Sequence, residues 1–269
     1  MAQRKVSALL ILGLWLGLWL GLWLGLWLGL WATSIAHAQS DAEIEESITI
    51  FNRGKTLHQE LRYPEAISEY RASLKLDSES PFVHNAMGLA LAAVGDFKGA
   101  LKAFNKSLAL NPDLTDVYNN MGMVYAELGE RDKAFESFGR AVRNPSYLTP
   151  EKALYNIGNL YLEDGNVELA LMHFKRAVEK KPKFSLGYRG IGKVHLMMND
   201  PDLAMLEFER AIEITEDDTE SLFQLARLHQ QRGESSEASE FYRRVVEVDR
   251  FSPIGKLALA RLDTLKSGS

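Results

Sequence analysis

The chain has 269 residues, of which 46% are hydrophobic and 25% are charged, and its formal net charge at pH 7 is −5. This composition is ordinary for a folded protein, and the acidic balance argues against a phosphate-binding surface, so no nucleic-acid partner is predicted. There is no cysteine, which excludes disulfides, thiolate metal sites and a lipid-modified cysteine.

The chain begins with the pattern of a targeting segment. Arg4 and Lys5 precede an uncharged run over residues 6–35 that contains a tandem Gly-Leu-Trp-Leu block. An Ala-His-Ala site of the small-x-small type ends at Ala38, directly before Gln39. A basic start, an apolar core and a small-residue cleavage site are typical of a secretory leader.

Residues 1–38 are therefore predicted to be either a signal peptide, cleaved between Ala38 and Gln39, or a signal anchor. A secretory core is usually about 7–15 residues long, whereas about 20 apolar residues span a bilayer as a helix. Basic residues before the run and acids after it place the N-terminus in the cytoplasm in both cases. We expect the rest of the chain to be periplasmic, with the inner membrane as a partner only if the leader is retained.

From residue 47 onward, one pattern recurs six times. Glycine occupies position 8 of five units, and an aromatic residue follows the small residue at position 20 by four. Because residues i and i+4 share a helix face, the glycine is expected to let the first helix of a unit approach the second closely. The position-20 residues, at successive steps of 34, 34, 36, 34 and 34 along the chain, are Ala66, Ala100, Ala134, Ala170, Ala204 and Ala238.

Each unit is predicted to be a pair of helices, helix A and helix B. Position 15 is Gly or Asn in five units, and these residues accept the left-handed conformation that ends a helix. Leu61 departs from this in the first unit, so its turn is predicted to be built differently. Ser80 and Thr149 precede prolines and are predicted N-caps. The predicted segments are a linker at 39–46, repeats at 47–80, 81–114, 115–148, 151–184, 185–218 and 219–252, and a capping helix with a tail at 253–269.

The 34-residue period resembles the tetratricopeptide repeat (TPR), as do the Gly-x-x-Tyr, Ala-x-x-x-Phe and closing Pro within residues 154–182. The resemblance implies an all-α fold, a right-handed superhelix of six helix-turn-helix repeats plus a C-terminal capping helix, here preceded by the hydrophobic leader helix. Each helix pair leaves one face uncovered, so neighbouring pairs must stack to bury it.

The single 36-residue step falls at Asn-Pro-Ser-Tyr-Leu-Thr-Pro, residues 144–150. This linker resembles one in the six-repeat TPR proteins of type IV pilus biogenesis, to which the chain is similar from about Gly54 to Val248. Those proteins resemble pilotins, which help an outer-membrane secretin assemble, but the chain lacks their lipobox cysteine. The alternative is that any two-residue insertion with two prolines makes a similar bend.

No catalytic motif is found, so we predict a protein that is not an enzyme and uses no cofactor or metal. The six histidines include no pair at i and i+4 with a glutamate between them. The serines include no Gly-x-Ser-x-Gly nucleophile elbow.

Positions 2, 5, 9 and 12 of each helix A are predicted to line a concave peptide-binding groove. Asn85, Asn119 and Asn159 are candidates to pair with the backbone of an extended peptide, since an amide side chain both donates and accepts hydrogen bonds. The same positions place Lys152 and Tyr155 in the groove. The alternative is a solvated polar face.

The C-terminal half of this groove is predicted to be basic, because it holds Arg189, Lys193 and Arg227. Guanidinium and ammonium groups suit an acidic segment or a C-terminal carboxylate of a partner protein. We therefore predict a protein or peptide segment as the partner.

The carboxylate clamp with which some TPR domains hold heat-shock chaperone tails is a poor match. Its best window offers Asn85 and Leu89, then Asn120, then Lys152 and Asn156, which agree at two of five positions. We expect a non-catalytic interaction scaffold outside the inner membrane, in assembly of an envelope complex such as a type IV pilus. The alternative is a regulatory adaptor that tethers a cell-wall enzyme.

Overall fold

A computed structural model describes residues 41–267 of the chain. Within this range there are thirteen α-helices and no strands, in two compact units that divide after Leu110. The predicted all-α fold is thus confirmed for the described part, while the leader and its cleavage site lie outside it. None of the described helices is long and apolar enough to cross a membrane.

The first unit has two helix pairs, α1 with α2 and α3 with α4. The prediction of a linker over residues 39–46 is partly wrong, because residues 41–46 already belong to α1. Four acids lie in this stretch, and acids favour the N-terminal turns of a helix through its dipole. The helices of the first unit are α1 (41–59), α2 (Tyr63–Leu76), α3 (Pro81–Ala93) and α4 (Phe97–Leu110).

The second unit has four helix pairs followed by α13, which packs on both α11 and α12. Ala258 and Leu262 of α13 join Leu222 and Tyr242 in one buried cluster, so α13 covers the open end of the last pair. The helices of this unit are α5 (Thr115–Glu127), α6 (Arg131–Arg143), α7 (Pro150–Glu163), α8 (Val167–Lys180), α9 (Ser185–Met197), α10 (Pro201–Ile214), α11 (Thr219–Gln231), α12 (Ser235–Asp249) and α13 (Pro253–Ser267).

The glycine at position 8 lies against the aromatic ring of helix B, as predicted. A Cβ placed on Gly158 would lie 2.6 Å from Cε1 of Phe174, and one on Gly122 would lie 2.6 Å from Cδ1 of Phe138. Both rings are almost fully buried. Any larger residue would therefore push the two helices of a pair apart, because packed interiors leave no room for an added methyl group.

The turn between the two helices of a pair has the same backbone conformation in all six pairs, with one residue at positive φ. Gly129 has a φ of 72°, and Leu61 has a φ of 61°. The amide of Arg62 donates to the carbonyl of Leu57 at 2.9 Å, which matches the bond from Glu130 to Tyr125 at 2.8 Å. The prediction that Leu61 needs a different turn is wrong, since the leucine adopts the strained left-handed conformation instead.

The two predicted N-caps occupy the expected positions without capping through their side chains. Neither the Ser80 side chain nor the Thr149 side chain accepts a hydrogen bond from its own helix, and the hydroxyl of Thr149 donates to Asp116 at 3.4 Å. Side chains do cap four other helices of the second unit, at Asn166, Asp200, Asp218 and Ser252. The linker over residues 144–150 is instead fixed by Tyr147, which is 5% exposed.

Candidate peptide-binding site

The ten candidate groove residues are divided between the two units. Asn85 lies on α3 of the first unit, and the other nine lie on α5, α7, α9 and α11 of the second. Residues at positions 2, 5, 9 and 12 of these four helices are called the groove face below. The first helices of successive pairs are in contact from α5 to α7 and from α7 to α9, which makes the groove face continuous there.

Asn119 lies inside the helix packing of the groove face. It is 7% exposed, and its amide oxygen accepts a hydrogen bond from Nδ2 of Asn156 at 3.0 Å. Its own Nδ2 is 3.8 Å from the sulfur of Met123. The Asn119–Asn156 pair therefore ties α5 to α7, and its polar atoms are used within the fold.

Arg189 is likewise committed to a contact between helices. Its Nη1 donates to Oδ1 of Asp218 at 2.7 Å, and the two side chains are only 21% and 4% exposed. Burial opposes the charge on Arg189, but Asp218 and the hydroxyl of Tyr155 outweigh it and raise the pKa of the guanidinium. The carboxylate of Asp218 also accepts from the hydroxyl of Ser221 at 2.9 Å. This cluster joins α7, α9 and the start of α11.

Tyr155 is a packing residue as well as a neighbour of Arg189. Its half-buried ring lies 5.5 Å from the ring of Phe174 and 5.8 Å from that of Phe184, centroid to centroid. Such tilted and edge-on ring pairs stabilise a fold by more than the burial of their surface alone would give. The ring packs in the core, and the hydroxyl helps to raise the pKa of Arg189.

A chain of four polar side chains, three of them on the groove face, runs from α9 to α11. Nζ of Lys193 is 3.6 Å from Oε1 of Glu220, and that oxygen accepts from Nε2 of Gln224 at 2.9 Å. Gln224 in turn accepts from Nη1 of Arg227 at 3.0 Å. The predicted basic character is thus reduced, because Asp218 and Glu220 balance Arg189 and Lys193.

The remaining candidates lie nearer to solvent. Lys152 is exposed, and Asn120 and Asn159 are half-buried. Among residues 41–267, the Asn159 amide makes no side-chain hydrogen bond. It is therefore the predicted amide best placed to meet a peptide backbone in the second unit.

The first unit contains an apolar cavity of about 320 Å³ on α1, α2 and α3. Phe82, at position 2 of its repeat, is 57% exposed at this cavity. The position-based prediction included Phe82 and Asn85 but did not foresee that the aromatic residues of α1 and α2 complete the wall. The lining residues are Phe51, Lys55, His58, Gln59, Tyr70, Phe82, Asn85, Ala86 and Leu89.

A second cavity, polar and about 310 Å³ in volume, lies between α11, α12 and α13. It is lined by Arg227, Gln230, Gln231, Tyr242 and Arg261. The sequence-based prediction missed Arg261, although it follows Arg227 by one repeat length of 34 residues. Extending the repeat register into α13 would have found it.

Three family models of the tetratricopeptide repeat match four ranges of the described chain. The first matches residues 90–129, the second matches residues 151–184, and the third matches residues 115–144 and 219–251. The chain therefore contains tetratricopeptide repeats and is a TPR protein in that sense. Repeats of this kind generally serve as protein-interaction scaffolds without catalytic activity, and this TPR protein has the extended helix faces on which they bind partners.

Solved structures share the architecture of this TPR protein at low sequence identity. PilW, described as a widely conserved type IV pilus biogenesis factor, is 19% identical, with 79% of this chain and 98% of PilW covered at a TM-score of 0.66. PilF of Pseudomonas aeruginosa is 16% identical, with 82% and 99% covered and a TM-score of 0.66. Yeast Tom70 is 17% identical, with 76% of this chain and 43% of the Tom70 chain covered at a TM-score of 0.67. No curated protein matches by sequence.

The described surfaces of both units offer groups that can bind a partner. Residues 41–267 hold no group of three or more His, Asp or Glu side chains arranged to take a metal ion. What they offer is an apolar cavity in the first unit and a groove face with amide, carboxylate and guanidinium groups in the second. These are the elements with which a protein holds an extended segment of another protein.

Proposed function

We propose that this TPR protein is a non-catalytic scaffold that binds a segment of a partner protein outside the inner membrane, in the assembly of an envelope complex such as a type IV pilus. The observation that carries the binding proposal is the apolar cavity of the first unit. Phe82 keeps 57% of its surface exposed there, and an exposed aromatic ring at a concave apolar site is typical of the hot spots at which partners bind.

The cavity fits one or two apolar side chains of a partner. Its volume of about 320 Å³ is at the lower end of the range of about 300–1,000 Å³ for small-molecule sites. Lys55, Gln59 and Asn85 add polar groups to a wall that is otherwise mostly apolar. The expected ligand in the first unit is therefore an apolar anchor residue within a polar segment.

The groove face of the second unit supports the same proposal in a different way. Its helices are held together by the Asn119–Asn156 and Arg189–Asp218 contacts, which fix the backbone before any partner arrives. Lys152 and Asn159 then remain at the surface. A preorganised site of this kind binds with less loss of conformational entropy than a flexible one.

Two features support the assignment to an envelope complex. The predicted leader directs residues 39–269 across the inner membrane, and PilW and PilF have the same architecture along 98% and 99% of their chains. PilW is named as a type IV pilus biogenesis factor, and we extend that role to this chain as part of the proposal.

Crosslinking in intact cells followed by mass spectrometry tests the location and the partner together. We expect crosslinks to envelope proteins and, if the leader is removed, a mature N-terminus at Gln39. The cleaved chain should show tyrosine but no tryptophan fluorescence, because all five tryptophans lie before Ala38. Deletion of the gene should abolish surface pili. Normal piliation, with crosslinks to a cell-wall enzyme, would contradict the pilus assignment.

Phe82→Ala tests the cavity, with Phe251→Ala as its matched control. Both rings are exposed, at 57% and 82%, but Phe251 lies between α12 and α13, in the other unit. We expect Phe82→Ala to lower the yield of the crosslinked partner by about tenfold, since anchors of this type contribute about 2 kcal/mol or more, and Phe251→Ala to leave it unchanged. Equal yields for both variants would place the binding elsewhere.

A further inference from the structure

The last helix of the second unit continues the repeat register beyond the sixth repeat. If Pro253 is counted as position 1, Arg261 falls at position 9, where Lys193 and Arg227 also fall. The three basic residues follow one another at intervals of one repeat length and lie on α9, α11 and α13. Because α11 and α13 are in direct contact, α13 extends the groove face by one helix as well as covering the core.

The three basic residues differ in what balances their charge. Lys193 lies beside the carboxylate of Glu220. Arg227 donates only to the neutral amide oxygen of Gln224, and Arg261 makes no side-chain hydrogen bond or ion pair with any residue in 41–267. Two guanidinium groups therefore line one cavity without an acid to neutralise them.

The other residues of this cavity supply further hydrogen-bond donors. The hydroxyl of Tyr242 donates to Oε1 of Gln230 at 2.9 Å, which orients the Gln230 amide and leaves its NH₂ group for another partner. Gln231 adds a second amide, and no acidic residue lines the cavity. Burial raises the pKa of Tyr242, while Arg261 and Arg227 act against that rise, so both guanidinium groups lie close enough to affect the phenol.

We propose that the cavity of Arg227, Gln230, Gln231, Tyr242 and Arg261 binds a carboxylate group of the partner segment. Arginine forks match the two oxygens of a carboxylate, and the roughly 310 Å³ of space admits an acidic side chain or a chain terminus. The inference rests on the proposed function, because it takes the anion from a partner protein, and it assigns a carboxylate of that partner to α11–α13.

Binding of a fluorescein-labelled hexaglutamate peptide to the full chain in detergent, followed by anisotropy, tests the proposal. We expect saturable binding that weakens at high salt, and no binding of hexaglutamine. The double variant R227Q/R261Q should lower the affinity for hexaglutamate by about tenfold or more, because it removes both charge-assisted hydrogen bonds to the carboxylate. The variant R227K/R261K keeps the charge but loses the forks, and should bind with intermediate affinity.

R176Q/R250Q is the matched control. It also removes two positive charges, but from exposed sites on α8 and directly after α12, outside the cavity lining. This variant should bind hexaglutamate like the unmodified chain. An equal loss in both double variants would overturn the proposal in favour of unspecific charge attraction. R227Q/R261Q and R176Q/R250Q should melt at the same temperature, because the Arg227 and Arg261 side chains are exposed and form no ion pair with a buried acid.

An amidated hexaglutamate separates the two sources of the carboxylate. A preference for the free C-terminus would assign the cavity to a chain terminus, and equal affinities would assign it to acidic side chains. Absence of hexaglutamate binding would refute the carboxylate site. It would leave the proposed function standing, since that depends on crosslinking in cells and on Phe82.

Discussion

In the second unit, the buried face and the groove face of the same helices differ in how much their residues vary from pair to pair. On the buried face, glycine at position 8 meets an aromatic ring in each of the first three pairs of that unit, from Gly122 with Phe138 to Gly192 with Phe208. On the groove face, position 9 is the very next residue, yet it changes from Met123 through an asparagine and a lysine to arginine. In these three pairs the packing is solved in the same way, whereas the residue on the groove face varies from pair to pair.

The groove face itself divides into residues that hold helices together and residues that are available to a partner. Asn119 is buried and Arg189 is half-buried, both are bonded across helices, and they behave like the packing face. Lys152, Asn159 and Arg227 lie closer to solvent. Facing the groove is therefore not sufficient for binding, and the following substitutions measure the difference.

The largest effect is expected on the packing face, from Phe174→Ala. The ring is fully buried and lies over the backbone of two helices, since a Cβ on Gly158 or on Gly190 would approach it to 2.6 or 2.7 Å. We expect a loss of about 4 kcal/mol in the free energy of unfolding, as for other buried Phe→Ala changes, measured by urea unfolding with circular dichroism.

Phe251→Ala is the control for that measurement, because its ring is 82% exposed and surface changes usually stay within about 0.5 kcal/mol. A loss below about 2 kcal/mol for Phe174→Ala, less than buried Phe→Ala changes normally cost, would show that the two glycine contacts relax around the missing ring. The distinction between the faces would then be weaker than the geometry indicates.

Arg189→Gln tests whether a groove-face residue acts as part of the fold. The change leaves the carboxylate of Asp218, only 4% exposed, without its cationic partner, and breaking a buried pair in this way typically costs about 3 kcal/mol. Arg227→Gln is the same substitution at an exposed position of the next helix A and should cost less than about 0.5 kcal/mol. Thermal and urea unfolding of both variants give the comparison.

The double variant Arg189→Gln/Asp218→Asn completes this test. Two neutral amides still form hydrogen bonds without a buried, unpaired charge, so much of the lost stability should return. If the double variant is no more stable than Arg189→Gln alone, the loss comes from the packing of the arginine stem and not from the unpaired carboxylate.

The repeating features of the fold could be predicted from the sequence because each rests on local chemistry. Glycine at position 8 of helix A and the aromatic residue at position 24 of helix B keep the same spacing in each of these pairs, and the structure joins them as expected. The start of α1 could not be predicted in this way, because residues 41–46 precede the first repeat and have no repeat position. Their acids fit the composition of a linker, although they also suit a helix N-terminus.

The candidate site was predicted only in outline. Sequence position showed which side chains face the groove, but not which of them are used by a neighbouring helix. Asn119 meets Asn156 at a separation of 37 residues, and Arg189 meets Asp218 at 29. Neither spacing equals the repeat length, so these pairs depend on how the helices are offset in space. Arg261 was missed for the opposite reason, since it keeps the repeat spacing in a helix regarded as a cap.

Leu61→Gly extends the comparison to the backbone. Leu61 adopts the left-handed conformation that costs a non-glycine residue roughly 1–2 kcal/mol, and its side chain is 69% exposed, so little packing is lost on removal. We expect a gain of about 1 kcal/mol in the free energy of unfolding. The reverse change in the second unit, Gly129→Leu, should cost a similar amount, and a loss of stability in Leu61→Gly would show that the leucine packs in a way its exposure does not indicate.

The smallest effect is expected from Lys193 and Glu220, which face each other 3.6 Å apart with side chains 37% and 32% exposed. A double-mutant cycle with Lys193→Gln and Glu220→Gln should give a coupling energy of about 0.5 kcal/mol, since solvent screens such pairs, and the value should fall with added salt. The contrast with Arg189 and Asp218 would then follow from burial alone, because both pairs join α9 to the same end of α11. A coupling energy well above the range for solvent-exposed pairs would mean that Glu220, through Gln224 and Arg227, belongs to the network that holds the helices, and that less of the groove face is left for a partner.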